Sequence, residues 1–170
     1  MSNVNQTTTV DTWEYRRTVG LFATGVSILA VQDDDGSVAA MTANAVSSVS
    51  LDPTLLLVCV EKEAHIARVM LNAETFTLSF LSETQEPLSI YFARMWNPEL
   101  PEPAFEFLDW EGGPRLAGTL GAIGCRRYDV LEGGDHWIFL GEVTHLYRAD
   151  EGGAPLVYFG GQYRRLAGDD

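Results

Sequence analysis

The stretch MTANAVSSVSLDPTLLLVCVE, residues 41–61, has two halves of different chemistry. Met41–Ser50 is small, polar and hydroxyl-rich, carrying Thr42, Asn44, Ser47, Ser48 and Ser50. Leu55–Val60 is an unbroken apolar run and reads as a strand buried on both faces. Asp52-Pro53 separates them; proline biases the preceding residue to an extended conformation, so a bend is expected. A hydroxyl-rich loop leading into a rigid strand suits a phosphate or another polar ligand. Ser and Thr hydroxyls, with backbone N–H groups freed by a turn, are anion donors where no Lys or Arg is near. A solvated Ser/Thr loop ahead of a core strand has the same composition, and these residues alone leave both readings open.

Upstream, residues 1–10 look like a mobile polar tail. Asp11 or Thr12 can cap a helix running to about Phe22, with Tyr15, Val19 and Phe22 on one face. Val26–Gln32 and Ser37–Thr42 form a hairpin around the turn Asp33-Asp34-Asp35-Gly36. Downstream, Ala64–Asn72 is a short helix with Ile66, Val69 and Met70 on its apolar face. Thr75–Leu81 alternates as a strand, with Phe76, Leu78 and Phe80 inward and Thr77 and Ser79 opposite. Thr84 caps a helix to Ala93, tolerating Pro87 in its first turn. The proline-rich stretch Met95–Pro114 is irregular, and a loop of that length is usually functional or mobile. Leu120–Val130, His136–Tyr147 and Leu156–Phe159 close the chain as strands. Hairpins dominate, so the expected fold is mainly β: a closed or nearly closed antiparallel barrel with helices outside.

A chain of 170 residues with 46% hydrophobic residues forms one domain with a proper core. A formal net charge of −13 argues against nucleic acid and anionic membrane surfaces as partners. The N-terminus has no basic region followed by an apolar one, so no signal peptide is expected and a cytoplasmic location follows. Cys59 and Cys125 both lie in apolar runs, as packed small hydrophobes rather than a disulfide or metal pair. Three scattered histidines have no metal-ligand spacing, and Asp33–Asp35 lacks the further carboxylates of a Ca²⁺ loop.

Four segments together carry a resemblance: FATGVSILAV (22–31), MTANAVSSVSLDPTLLLVCV (41–60), GDHWIFLGEV (134–143) and LVYFGGQY (156–163). In order and spacing the chain resembles the flavin reductase family, from about Trp13 to Tyr163. These are short NAD(P)H:flavin oxidoreductases, many of them the reductase component of two-component flavin-dependent monooxygenases. The resemblance implies an FMN-binding split β-barrel over residues 11–166 that reduces FMN or FAD with NADH or NADPH and buries its flavin near a homodimer interface. No segment looks able to bind and activate an organic substrate beside the flavin, so reduced flavin is expected to reach a separate monooxygenase by diffusion. The acidic balance and the lack of a clear Arg cluster lean towards NADH, since a 2′-phosphate wants a cationic partner.

By the same resemblance, Met41, Thr42, Ala43 and Asn44 lie beside the flavin ring and ribityl chain, and Ser47, Ser48 and Val49 at a phosphate-proximal bend. Cys59 and Val60 line the ring edge, His65 and Ile66 sit near the phosphate, and Phe92, Ala93 and Arg94 approach the same site. Gly134-Asp135-His136 matches the family's GDH segment, which places His136 at the nicotinamide as the catalytic candidate. Gly160 and Gln162 stand where relatives often carry basic residues. The rival readings are a non-catalytic split-barrel flavin- or haem-binding carrier or sensor, and the pyridoxamine-phosphate oxidase group, whose basic phosphate ligands this chain lacks.

Overall fold

The computed structural model describes residues 10–150 and 152–166; the expected tail lies, but for Val10, outside them. Helix α1 (Thr12–Val19) is capped by Asp11, whose carboxylate accepts the Trp13 and Glu14 N–H groups at 2.9 Å. It stops at Val19, not Phe22, because Leu21 and Phe22 turn back onto the carbonyls of Thr18 and Val19. Tyr15, Val19 and Phe22, read as one face of this helix, are exposed, and α1 buries no residue.

The remaining elements follow in order. They are β1 (Thr24–Gly25), β2 (Ser27–Gln32), β3 (Val38–Ala43), β4 (Val46–Leu51), β5 (Thr54–Glu61), α2 (His65–Asn72) and β6 (Thr75–Phe80). Then come a 3-10 turn (Glu83–Gln85), α3 (Glu86–Phe92), β7 (Phe107–Leu108), β8 (Arg115–Leu116), β9 (Gly121–Gly133), β10 (His136–Arg148), β11 (Val157–Phe159) and β12 (Gln162–Arg164). Ser82, not Thr84, starts the 3-10 turn, in a reciprocal capping box with Gln85. Strand β12 was not expected; two glycines with positive φ, Gly160 and Gly161, make the turn that returns it onto β11.

Seven strands form one antiparallel sheet in the order β3-β2-β6-β9-β10-β5-β4. The two edge strands, β3 and β4, are consecutive in the chain and joined only by Asn44-Ala45. The Ala45 carbonyl accepts the Cys59 N–H at 3.0 Å, so the far edge curls back to the start of this connection. Among the described residues no ladder joins β3 to β4, so the sheet is split along that seam and not closed. Its interior is filled by Leu29, Val31, Val58, Val60, Phe76 and Phe139, each at most 2% exposed. The fold is mainly β, as expected.

Three expectations change. Val46–Leu51 is edge strand β4, paired with β5 with an irregularity between Ser48 and Ser50, and not a loop; its small and β-branched residues suit an edge, and Asp52-Pro53 turns the hairpin. Strand β5 is buried on one face only: Leu56, Val58 and Val60 point inward, while Leu55, Leu57 and Cys59 are half-buried on the outside. Strand β6 is the reverse. Thr77 and Ser79 are fully buried, because residues 107–116 cross the outer face of β6. Thr77 Oγ1 donates to the Gly112 carbonyl at 3.3 Å, and Ser79 Oγ accepts the Leu116 N–H at 3.1 Å. Each polar side chain thus satisfies backbone that would otherwise be buried unpaired.

Candidate flavin site

Helix α3 ends in a Schellman motif. The Arg94 N–H bonds the Tyr91 carbonyl at 3.0 Å, and the Met95 N–H bonds the Ile90 carbonyl at 3.1 Å. The motif needs a left-handed residue, and Arg94 occupies it at φ 58°, the one non-glycine with positive φ among the described residues. A β-carbon there costs about 1–2 kcal/mol, which glycine would avoid. Arg94 forms no ion pair among the described residues. It lines a cavity of about 370 Å³ together with Met41, Thr42, His65, Ile66 and Phe92. These six come from β3, the N-terminus of α2 and the C-terminal end of α3.

The start of α2 is uncapped: Ala64, its N-cap residue, offers no side-chain acceptor. The first N–H groups of the helix are therefore free for an anion, and the helix dipole favours one. Glu61 and Glu63 also line this cavity and disfavour an anion at their end of it. Sequence reasoning named neither. The Thr42 hydroxyl donates to the Ser89 carbonyl at 2.6 Å, and Ser89 Oγ lies 2.8 Å from the Tyr163 hydroxyl. Thr42 thus ties β3 to α3, a link for which the sequence holds no signal.

Asn44, Ser47 and Cys59 line a second cavity of about 450 Å³, roofed by Tyr15, Arg16 and Val19 of α1. Ala43 lines a third of about 400 Å³, which shares Asn44, Val46 and Phe22 with the second. The second and third cavities meet at the β3–β4 connection, while the first lies against the β3 edge and shares no lining residue with them. Ser48 and Val49 are exposed on β4 and line none of them. The Val60 side chain is wholly within the core, so it cannot line a ring edge; the alternation of β5 turns it inward where Cys59 turns out.

His136 begins β10 directly opposite Glu61, so it stands beside the first cavity but outside its lining. Its Nδ1 is 2.7 Å from Asp135 Oδ1. That bond, with the Arg16 charge adding a smaller part, holds the Asp135 carboxyl below the usual carboxylate range. Burial pushes the Cys59 thiol up and Cys125 to about 12, so neither offers a thiolate near neutral pH. Among the described residues no group of His, Cys, Asp and Glu could hold a metal ion.

A flavin reductase like domain matches residues 19–167. The chain belongs to the flavin reductase-like family. An NADH-dependent FAD reductase of Streptomyces globisporus is 37% identical over 94% of this chain and 88% of its own length. The reductase component of 4-hydroxyphenylacetate 3-monooxygenase from Thermus thermophilus is 36% identical over 89% of this chain and 95% of its own. The solved flavin reductase PheA2 superposes with a TM-score of 0.86 at 33% identity, covering 94% of this chain and 100% of that one. Two further relatives are longer, and this chain spans 56% and 49% of them.

The family's flavin fits these residues. The uncapped α2 terminus and the unpaired Arg94 have donors that could meet a phosphate, and the half-buried Cys59, with the exposed Asn44, lines a partly apolar wall beside the β3–β4 connection.

Proposed function

We propose that this protein is an NADH-dependent flavin reductase that supplies reduced FMN or FAD to a separate monooxygenase. The observation that carries this is the meeting of Arg94, held left-handed, with the uncapped α2 terminus in one cavity on the seam of a flavin reductase-like chain. The flavin, when bound, accepts hydride from the nicotinamide. The chain's own residues bind and orient it. Arg94 and the His65 and Ile66 N–H groups hold the phosphate. Met41 within β3 and Asn44 just past its end flank the ribityl chain and ring. His136, at the rim beside Glu61, orients the nicotinamide, with Asp135 fixing its ring. Ser48 and Val49 reach the flavin only if a partner copy completes the site. Among the described residues no helix is long and apolar enough to cross a membrane, which accords with a cytoplasmic reductase.

The protein works as a homodimer, and reduced flavin leaves it by diffusion. A reductase vessel divided from a cognate oxygenase by a flavin-permeable membrane should still yield product. For the chemistry itself, NADH oxidation with added free flavin is the direct assay; no turnover above the uncatalysed rate would remove the enzyme reading. His136→Ala should slow flavin reduction about tenfold or more, within the range of one positioning contact, while leaving flavin affinity within about twofold. Stopped-flow reduction at the wild-type rate would make His136 a turn residue only.

A further inference from the structure

The helix turn that carries Arg94 is tied to two other elements through one residue, Ser89 of α3. Ser89 is wholly buried. Its carbonyl accepts the Ala93 N–H at 3.0 Å, within the last turn of the helix, and also the Thr42 hydroxyl of β3 at 2.6 Å. A carbonyl oxygen has two lone pairs, so the two bonds do not compete. The Ser89 side-chain oxygen lies 2.8 Å from the Tyr163 hydroxyl of β12. Tyr163 stands edge-on to Tyr158, its cross-strand neighbour on β11, with ring centroids 5.4 Å apart at 68°. Both rings pack, as does Phe92 of α3, against a buried group that includes Ile28, Leu81 and Leu88.

A threonine hydroxyl has a single proton to donate. Thr42 lines the first cavity, but its proton is committed to Ser89 and none is left for a phosphate there. What Thr42 does offer that cavity is a fixed helix end. A left-handed residue with a β-carbon persists only where its surroundings over-determine it. The Arg94 and Met95 N–H bonds hold the turn from within α3. Thr42 holds it from the edge strand β3, and Tyr163 from the C-terminal hairpin. We propose that Thr42 and Tyr163 are positioning residues for phosphate binding, acting through Ser89 and the last turn of α3 on Arg94. The proposal rests on the reading that Arg94 binds phosphate. It separates two ligands with the same ring and ribityl chain: FMN carries the phosphate that Arg94 meets, and riboflavin does not. A Thr42 that touched the ring or the ribityl chain would matter equally to both.

The test titrates FMN and riboflavin, by flavin fluorescence, into the wild type and into Thr42→Val, Thr42→Ser, Tyr163→Phe, Arg94→Ala and the double variant Thr42→Val/Arg94→Ala. Thr42→Val should weaken FMN about fivefold, the loss of one net hydrogen bond, and leave riboflavin within about twofold. Thr42→Ser keeps the hydroxyl and should restore FMN affinity to within about twofold of the wild type. Tyr163→Phe keeps the packed ring and should weaken FMN about threefold, again sparing riboflavin; it stands alone if Thr42→Val does not fold. With Arg94 already removed, Thr42→Val should add less than about twofold, because residues that act through one another are not additive. Equal losses of FMN and riboflavin in Thr42→Val, or full additivity in the double variant, overturn the positioning role of Thr42. A wild-type ratio of FMN to riboflavin affinity in Tyr163→Phe overturns that of the hairpin. Arg94→Ala isolates the underlying reading. If it leaves that ratio unchanged, the phosphate assignment and the proposal built on it both fail. If it lowers the ratio while Thr42→Val and Tyr163→Phe do not, the positioning role fails alone.

Discussion

Arg94 shows how one residue can hold stability and binding in opposition. Its left-handed backbone is strained for any residue but glycine, while its side chain is the free cation of the proposed phosphate site. Arg94→Gly should therefore raise unfolding free energy, by up to about 1 kcal/mol, because the β-carbon strain disappears. The same change should weaken flavin about tenfold, the loss of one charge-assisted hydrogen bond. Urea melts and flavin titrations read the two quantities separately; stability and affinity falling together would mean that Arg94 is a structural contact. At this scale much was visible from sequence. Met41, Thr42, His65, Ile66, Phe92 and Arg94 were named in advance and line one cavity. The inward turn of Val60 and the tie from Thr42 to Ser89 were not, because a continuous apolar run hides its own alternation and a hydroxyl gives no hint of its partner.

Among the elements, the start of α1 and the long hairpin were legible because Asp11 and the Gly133-Gly134 turn mark them, whereas α2 has no capping side chain and shows only through its apolar face. Strand β4 was not, since Ser-Ser-Val-Ser suits an edge strand and a loop equally and only its pairing with β5 decides. Nor could Thr77 and Ser79 of β6 announce burial, because what covers them is a segment some thirty-five residues away in sequence (|i−j| 35 and 37). Gly141, in the middle of β10, has a similar hidden role. A β-carbon there would lie 2.5 Å from Phe76 Cζ and 2.8 Å from Cys125 Cβ, both inside a filled core. Gly141→Ala should cost about 1–3 kcal/mol by overpacking. The denaturant midpoint should fall with the slope unchanged, and a midpoint equal to wild type would show that Phe76 has room to move.

For the whole molecule, the unburied face of α1 and the half-buried outer residues of β5 are the conspicuous surfaces. Tyr15, Val19 and Phe22 are 60%, 50% and 78% exposed, and they flank the second cavity along the seam. A homodimer that covers this face would bury them and complete the flavin site. Phe22→Glu should shift the mass measured by light scattering from dimer to monomer at micromolar concentration and weaken flavin with it. A monomeric wild type would instead leave α1 a solvent-facing helix. The −13 net charge makes any such pairing more favourable as salt screens repulsion between copies.

The sheet order carries a consequence for local opening. With β6 and β9 in the middle and β3 and β4 at the two edges, backbone amides should exchange with deuterated solvent in a gradient. Residues 76–80 should remain protonated longest, and the outward-facing amides of residues 38–43 and 46–51 should label first. The flavin cavities lie against those early-opening edges. Saturating flavin should therefore slow labelling of residues 38–47 by more than it slows the centre of the sheet. Uniform protection on flavin addition would mean that the seam opens only with the whole domain.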